Sequence, residues 1–352
     1  MKPYGVMSDT HNHNWSAFAT TTPEGVNSRL RATLDETVRC AGAVVAAGGD
    51  TIYHGGDLFH VRGSIAPSVL NPTLDTYRAL INGGMKIVIN AGNHDLEGKE
   101  ASRMSSAITA LEGIGCTVIN KPTIHYVGAG SDMMVIPWIP NIAELKAAIE
   151  TTPEAERADL DLLIHAPIDG VIPGLPDHGL DAGYLAALGY RRVFAGHYHN
   201  HKDLGGSVYS IGSLTHQTWS DIDAKAGFLV VTDEGVKWHA THAPSFVEID
   251  ASTKEDEVPL IVDGNYVRVK INSAKLSDVE AMRAYLMSVG AKGVVVLPDV
   301  KVATVARTGS TLKAGSTLES SINDYINAQS YKEAGMVAAL CQDILTTVRS
   351  VT

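Results

Sequence analysis

Five short polar clusters occupy the first 200 residues: Asp9-Thr10-His11, Gly56-Asp57-Leu58-Phe59-His60, Gly92-Asn93-His94-Asp95, His165, and Gly196-His197-Tyr198-His199. Carboxylate, amide and imidazole are ligands for borderline divalent cations such as Mn, Fe and Zn, whereas Mg prefers oxygen ligands and water. Taken singly, each cluster has an ordinary structural reading. Gly-Asp is a turn signal, and a lone His after an apolar strand is usually a satisfied core residue. Taken together, five clusters of ligand type point to a metal centre. The spacing agrees: on extended backbone side chains alternate with period two, so Asp9 with His11, and His197 with His199, are expected to share a face.

The elements that must carry these clusters are legible as alternating strands and helices. Pro3–Ser8, Thr51–His54, Lys86–Ala91, Leu160–His165 and Val193–Ala195 read as strands. Val26, Leu30, Leu34, Val38 and Val45 recur at helical spacing between the first two strands. This pattern is an α/β sheet domain, and each strand runs into a polar cluster at its C-terminal end, the edge where α/β sheets bind ligands. Tyr209–Ile211, Gly227–Asp233 and Gly235–His239 are expected to be antiparallel strands, with a hairpin at Asp233-Glu234-Gly235. Residues 250–265 read as a polar linker. A β-α-β unit follows: strand Tyr266–Ile271, a helix opened by the capping box Ser277-Asp278-Val279-Glu280 and running to about Val289, and strand Gly293–Leu297. A second capping box, Ser316-Thr317-Leu318-Glu319, precedes two terminal helices carrying Ile322, Tyr325, Ile326, Val337, Leu340, Ile344, Leu345 and Val348. The expected domains are 1–250 for the site, 260–312 for a small accessory cap, and 313–352 for a helical partner-binding segment.

The ordered clusters resemble the motifs of the calcineurin-like metallophosphoesterases over residues 1–245. Asp9 and His11 match the first motif, Asp57 the second, Asn93 and His94 the third, His165 the fourth, and His197 and His199 the last. The resemblance implies a β-sandwich flanked by helices and two divalent metal ions, with Mn the expected ion. One ion would be held by Asp9, His11, Asp57 and His199, the other by Asp57, Asn93, His165 and His197, with Asp57 bridging. Two cations about 3.5–4 Å apart can hold a phosphate oxygen, acidify a water and stabilise an in-line transition state. By the same resemblance His94 protonates the leaving oxygen and Asp95 orients it.

Gly56–His60 followed by Ile65-Ala66-Pro67-Ser68 resembles the second motif of the SbcD-type repair nucleases, where the residue matching His60 approaches the scissile phosphate. Val135–Pro140, Tyr209–Ser213 and Lys225–Phe228 also match that group. Leu214–Trp219 departs from it, lacking the basic residue expected there. The implied activity is a two-metal phosphodiesterase acting on DNA, as exonuclease or endonuclease, in repair or recombination. The implied partners are DNA, an SbcC-like coiled-coil P-loop ATPase and a second copy of the chain. The alternative is a small-molecule or nucleotide phosphoesterase with the same site.

Composition limits these readings. The chain has 352 residues and a net charge of −11, and residues 251–352 carry 11 Lys+Arg against 11 Asp+Glu. The first 250 residues therefore hold the whole negative charge, which excludes a protein that grips nucleic acid by bulk basicity. Cys40, Cys116 and Cys341 are odd in number and scattered, and are expected to be reduced thiols. With no apolar run near the roughly 20 residues that span a bilayer, and Asp9 and His11 interrupting any signal-peptide core, a cytoplasmic protein without membrane contact is expected.

Overall fold

The computed structural model describes residues 1–98, 106–128, 130–273, 275–298, 317, 320–322, 325–326 and 333–351. Its strands are β1 (Tyr4–Met7), β2 (Thr51–His54), β3 (Lys86–Asn90), β4 (Thr117–Ile119), β5 (Thr123–His125), β6 (Met133–Ile136), β7 (Asp161–His165) and β8 (Arg192–Gly196). These are followed by β9 (Lys202–Asp203), β10 (Val208–Ser210), β11 (Gly227–Thr232), β12 (Gly235–Ala240), β13 (Phe246–Ile249), β14 (Tyr266–Ile271) and β15 (Gly293–Pro298). They form two six-stranded sheets, β12-β11-β1-β2-β3-β4 and β5-β6-β7-β8-β10-β9, and a three-stranded sheet, β13-β14-β15. β1, β2 and β3 are parallel, as are β6, β7, β8 and β10, so their C-terminal ends line up.

Alternation along the strands builds the layers. Tyr4, Val6, Tyr53 and Val88 meet Met133, Val135, Leu163 and Phe194 between the two large sheets. On the opposite face, Met7, Ile52, Ile87 and Ile89 pack on α1 (Ser28–Ala46) and α2 (Pro67–Asn82) through Leu30, Leu34, Val44 and Tyr77. Leu162, Ile164 and Val193 do the same for α3 (Ile142–Glu150) and, past the short α4 (Glu154–Arg157), for α5 (Ala182–Ala187). Burial on both faces explains why these strands read as continuous apolar runs. The result is a mixed α/β sandwich of two large sheets flanked by helices, as expected.

Several local expectations are corrected. β10 pairs parallel with β8 in the second sheet and is no neighbour of β11 and β12, which do form the expected hairpin. The segment 250–265 is not a plain linker: it contains α6 (Val258–Val262), whose Val258 and Val262 are buried, and it follows an unexpected strand, β13, parallel to β14. α7 (Leu276–Ser288) has Ser277 inside its first turn; Ser273 Oγ instead accepts from Lys275 N at 3.2 Å and binds the Asp278 carboxylate. In α1 the buried stripe runs through Leu30, Leu34 and Val44, while Val38 and Val45 face solvent.

The chain divides into two compact units, Met1–Lys270 with Val279–Leu297, and Ile271–Asp278 with Pro298–Thr352. This division does not follow the boundaries drawn at 250 and 260. In the second unit Ile326 is buried, and α8 (Ala334–Val351) exposes Met336, Leu340 and Ile344. Of the capping box at 316–319 only Thr317 lies within the described residues. Among the described residues no helix is long and apolar enough to cross a membrane. Cys40, Cys116 and Cys341 are free thiols.

α1 begins where Asn27 places its side-chain oxygen on Arg29 N (3.0 Å) and Leu30 N (3.2 Å), satisfying two otherwise unpaired donors. Asn27→Ala is expected to cost about 1 kcal/mol. Urea unfolding followed by circular dichroism checks this, with a lowered midpoint and an unchanged slope as the outcome.

Candidate metal centre

The backbone leaves regular structure just where the clusters begin. Beyond β1, Asp9 (φ 50°) and His11 (φ 43°) adopt left-handed conformations; so does Asp57 (φ 54°) beyond β2, and His197 has φ 109° beyond β8. Positive φ is costly for residues with a Cβ and concentrates at functional sites. The D-x-H and H-x-H pairs therefore converge through turns, and not through the extended alternation expected from the sequence. Backbone hydrogen bonds pin the turns to one another: Asp9 N to Gly56 O (3.0 Å), His11 N to Asp57 O (3.0 Å) and Asn12 N to Leu58 O (2.8 Å). Gly92 has no room for a side chain, since a Cβ there would lie 2.2 Å from both Asp57 N and Asp57 Oδ1.

The seven expected ligands come together. Asp57 Oδ2 lies 3.5 Å from His165 Nε2 and 3.7 Å from His11 Nε2, so one oxygen faces both halves of the site. Asn93 Oδ1 lies 3.1 Å from His165 Nε2 and 3.1 Å from His197 Nδ1. His199 Nε2 is 3.3 Å from His11 Nε2, and His11 Nε2 is 4.0 Å from Asp9 Oδ1. Two groups, Asp9-His11-His199 and Asp9-Asp57-His165, thus hold their ligand atoms within 4.8 Å of one another.

Hydrogen bonds on the far side of two of the rings, His165 and His199, fix which atom points inward. His165 Nδ1 faces Gly55 O at 2.9 Å and donates to it, which turns Nε2 to the centre. His199 Nδ1 donates to the Asp221 carboxylate at 2.8 Å, which likewise frees Nε2 and raises its basicity. The Asp9 carboxylate accepts from His197 N at 3.0 Å, and the Trp138 ring stacks on His197 with centroids 5.2 Å apart. Neighbouring inward atoms that are acceptors on both sides, such as Asn93 Oδ1 with its two imidazole nitrogens, have no proton to share once the rings are neutral. This donor set fits divalent cations of the borderline class.

Charge and burial set the protonation states. Burial pushes the Asp57 carboxyl up, but His165 and His11 overcome it and hold it well below the usual carboxylate range. Burial lowers His165, while the Asp57 and Asp9 carboxylates outweigh it and carry the imidazole up to about 9. His197 is lowered to about 3 and His60 to about 4, chiefly by burial and then by neighbouring imidazoles.

At one edge of the site His60 and His94 meet His11, with ligand atoms again within 4.8 Å. His94 N donates to Asp57 Oδ1 (2.7 Å) and His94 Nδ1 donates to His60 O (2.7 Å). His60 Nδ1 is 3.4 Å from His11 Nδ1. Asp95, expected to orient His94, does something else: its oxygens accept from Phe59 N (3.0 Å) and Gly92 N (2.9 Å), tying the β2 and β3 turns together. The orienting group for His94 is the carbonyl of His60. Burial and the nearby Asp57 charge raise Asp95 to about 7.

Asp221 is the residue that sequence reasoning missed. Its signal was present as a capping box, Thr218 to Asp221, and its carboxylate also accepts from Gln217 N at 2.7 Å. Where a basic residue was expected, Leu214–Trp219 is held from behind by Arg29 of α1, whose guanidinium donates to Gln217 O at 2.5 Å; Gln217 Nε2 donates to Asp9 O at 2.7 Å. His201 turns away, donating to Ser210 O and stacking on Trp238.

The profile described as calcineurin-like phosphoesterase matches residues 2–201, and the chain belongs to that family of hydrolytic, metal-dependent enzymes with a dinuclear metal site. Exonuclease subunit 1 of Enterobacteria phage T4 is 26% identical over 185 residues, which cover 51% of this chain and 52% of that protein. The chain thus spans about half the length of the curated relative it matches. Among solved structures, a nuclease MPE from Pseudomonas putida is 18% identical with a TM-score of 0.29, covering 58% of this chain and 66% of the other. A dimetal phosphatase from Danio rerio is 11% identical with a TM-score of 0.38, covering 65% and 91%.

Asp221→Asn removes the anionic acceptor behind His199, and the affinity for metal is expected to fall about 10- to 100-fold in a folded chain, as measured by chelator competition. Because the raised His165 keeps its proton below about 9, a cation must displace that proton. Affinity should therefore increase as pH rises towards 9 and weaken as it falls. Calorimetry in buffers of different ionisation enthalpy should detect proton release on loading; release that is absent at neutral pH would contradict the assignment.

Proposed function

We propose that the protein is a nuclease, a two-metal phosphodiesterase acting on DNA. The observation that carries this is the convergence of Asp57 Oδ2 and Asn93 Oδ1 with the imidazoles of His11, His165, His197 and His199. The similarity to a phage exonuclease subunit supports a nucleic acid as the substrate. Beside His197 and His199 opens a cleft of about 480 Å3, lined also by Tyr198, Asn200 and Asp223. It is larger than a phosphomonoester needs.

When bound, two cations supply the positive charge that holds phosphate oxygens and acidifies a water. The chain's own part is orientation and proton transfer. Gly55 O and Asp221 hold His165 and His199 in the inward tautomer. Asp57 is positioned by His94 N, and His94 Nδ1 by His60 O, so Nε2 of a His94 imidazolium is the atom that would pass its proton to the leaving oxygen and leave the neutral ring behind. His60, neutral because its pKa is lowered to about 4, contributes a hydrogen bond and not a charge to the phosphate.

The acidity of residues 1–250 leaves the grip on DNA to something else. We assign that role to an SbcC-like coiled-coil P-loop ATPase, bound through the C-terminal segment, in a complex containing two copies of this chain. The exposed Met336, Leu340 and Ile344 of α8 supply an apolar stripe for such contact.

Hydrolysis of bis(p-nitrophenyl) phosphate, p-nitrophenyl phosphate and linear double-stranded DNA with Mn tests the reading. Diester and DNA cleavage is expected; monoester hydrolysis alone would make the protein a small-molecule phosphatase. His94→Asn should retain both ions by elemental analysis while turnover falls about 10²- to 10⁴-fold. Deleting residues 316–352 should abolish co-purification with the ATPase and leave diester hydrolysis intact; a truncation that still binds places the contact elsewhere.

A further inference from the structure

The cleft of about 480 Å3 shares His197 and His199 with the metal centre. Its volume lies within the roughly 300–1,000 Å3 of small-molecule sites, enough for a nucleoside. Tyr198, Ile172, Pro173, Ile222 and Ala224 supply aromatic and aliphatic wall, and the Tyr198 ring lies against His197 with centroids 5.3 Å apart. The loop bearing Ile172 and Pro173 is clamped, since the Asp169 carboxylate accepts from His178 N (2.6 Å), Gly179 N (2.9 Å) and Leu180 N (3.0 Å).

The polar part of the wall is acidic. Asn200 and Ser220 are neutral, Asp221 and Asp223 are carboxylates, and among the described residues no Lys or Arg lines the cleft. Asp221 is committed to His199 and to the amides of Gln217 and Thr218. Asp223 is exposed, and its carboxylate has no partner among the described residues. The lysines nearest along the chain are engaged elsewhere: Lys202 Nζ donates to Gly170 O at 2.7 Å, and Lys225 Nζ lies over the Trp238 ring.

A DNA strand carries a negative charge at every phosphate. With the scissile phosphate at the metal centre, a strand continuing through the cleft would bring its next phosphate towards Asp223 with no side-chain cation to offset the repulsion. A nucleoside that ends the strand has no such phosphate. Its base can lie on Tyr198 and the aliphatic wall, and its hydroxyl can donate to a carboxylate. We propose that the cleft takes the terminal nucleoside at a strand end with a free hydroxyl, and that Asp223 is the specificity-determining residue that disfavours a terminal phosphate there. The inference rests on the reading that the substrate is nucleic acid.

The test uses the full chain loaded with Mn, bis(p-nitrophenyl) phosphate, and one short oligonucleotide in three forms: hydroxyls at both ends, a 3′-phosphate, and a 5′-phosphate. In the wild type, one of the two phosphorylated forms should show a kcat/KM about three- to tenfold below that of the hydroxyl form, and added salt should shrink the penalty because an exposed charge is screened. Asp223→Asn should bring the ratio towards one. Asn suits the left-handed backbone of Asp223 (φ 64°), so the variant keeps the turn. Ile172→Lys, which places an ammonium on the opposite, partly exposed wall, should reduce the same penalty. Equal kcat/KM for all three forms in the wild type, or an undiminished penalty in either folded variant, overturns the terminal subsite. Hydrolysis of the small diester with no oligonucleotide cleaved overturns instead the nucleic-acid reading on which it rests.

Discussion

Ligand atoms from five chain segments point at one another across 3.1–4.0 Å, and in neutral rings the inward nitrogens of His165 and His199 carry no proton to share. Such an arrangement is unfavourable unless positive charge lies between the atoms, because burying unpaired polar groups is costly. In the protein without metal, part of that charge is a proton on His165, held by Asp57 and Asp9. The rest of the architecture serves to keep these atoms facing inward. Parallel strands bring their C-terminal ends to a common edge in both large sheets, and the sandwich then sets the two edges side by side.

That convergence is achieved against local preference. Asp9, His11, Asp57 and His197 all take positive φ, and the strain is held by hydrogen bonds between turns rather than within them. The buried carboxylate of Asp95 joins the Phe59 and Gly92 amides, and Arg29, reaching from α1, holds the Gln217 segment behind Asp9. Residues with no contact to a ligand atom thus help to hold the geometry. Asp221 and Gly55 act at the next remove, choosing the nitrogen each imidazole presents.

Strand positions were readable from sequence because β1, β2, β3, β7 and β8 are buried on both faces and stand out as apolar runs. The ligand types were readable because polar clusters at strand ends are conspicuous. The geometry joining them was not, since period-two alternation says nothing about turns with positive φ. Asp95 misled because proximity in sequence to His94 suggested contact, whereas its partners Phe59 and Gly92 come from two different turns. β13 was missed because a four-residue strand among polar neighbours carries little signal, and its partner β14 lies 20 residues on. The pairing of β10 with β8 depends on long-range topology that no local pattern encodes.

Asp57 Oδ2 lies within 3.7 Å of imidazoles from both halves of the site, so Asp57 is where the account is most exposed. The direct measurement is the metal content of the chelator-washed and Mn-reloaded protein, by elemental analysis, for the wild type and Asp57→Ala. The account predicts two ions per chain in the wild type and loss of both in a variant that retains its far-ultraviolet circular dichroism. A folded Asp57→Ala protein that still binds two ions would contradict the shared, dinuclear centre.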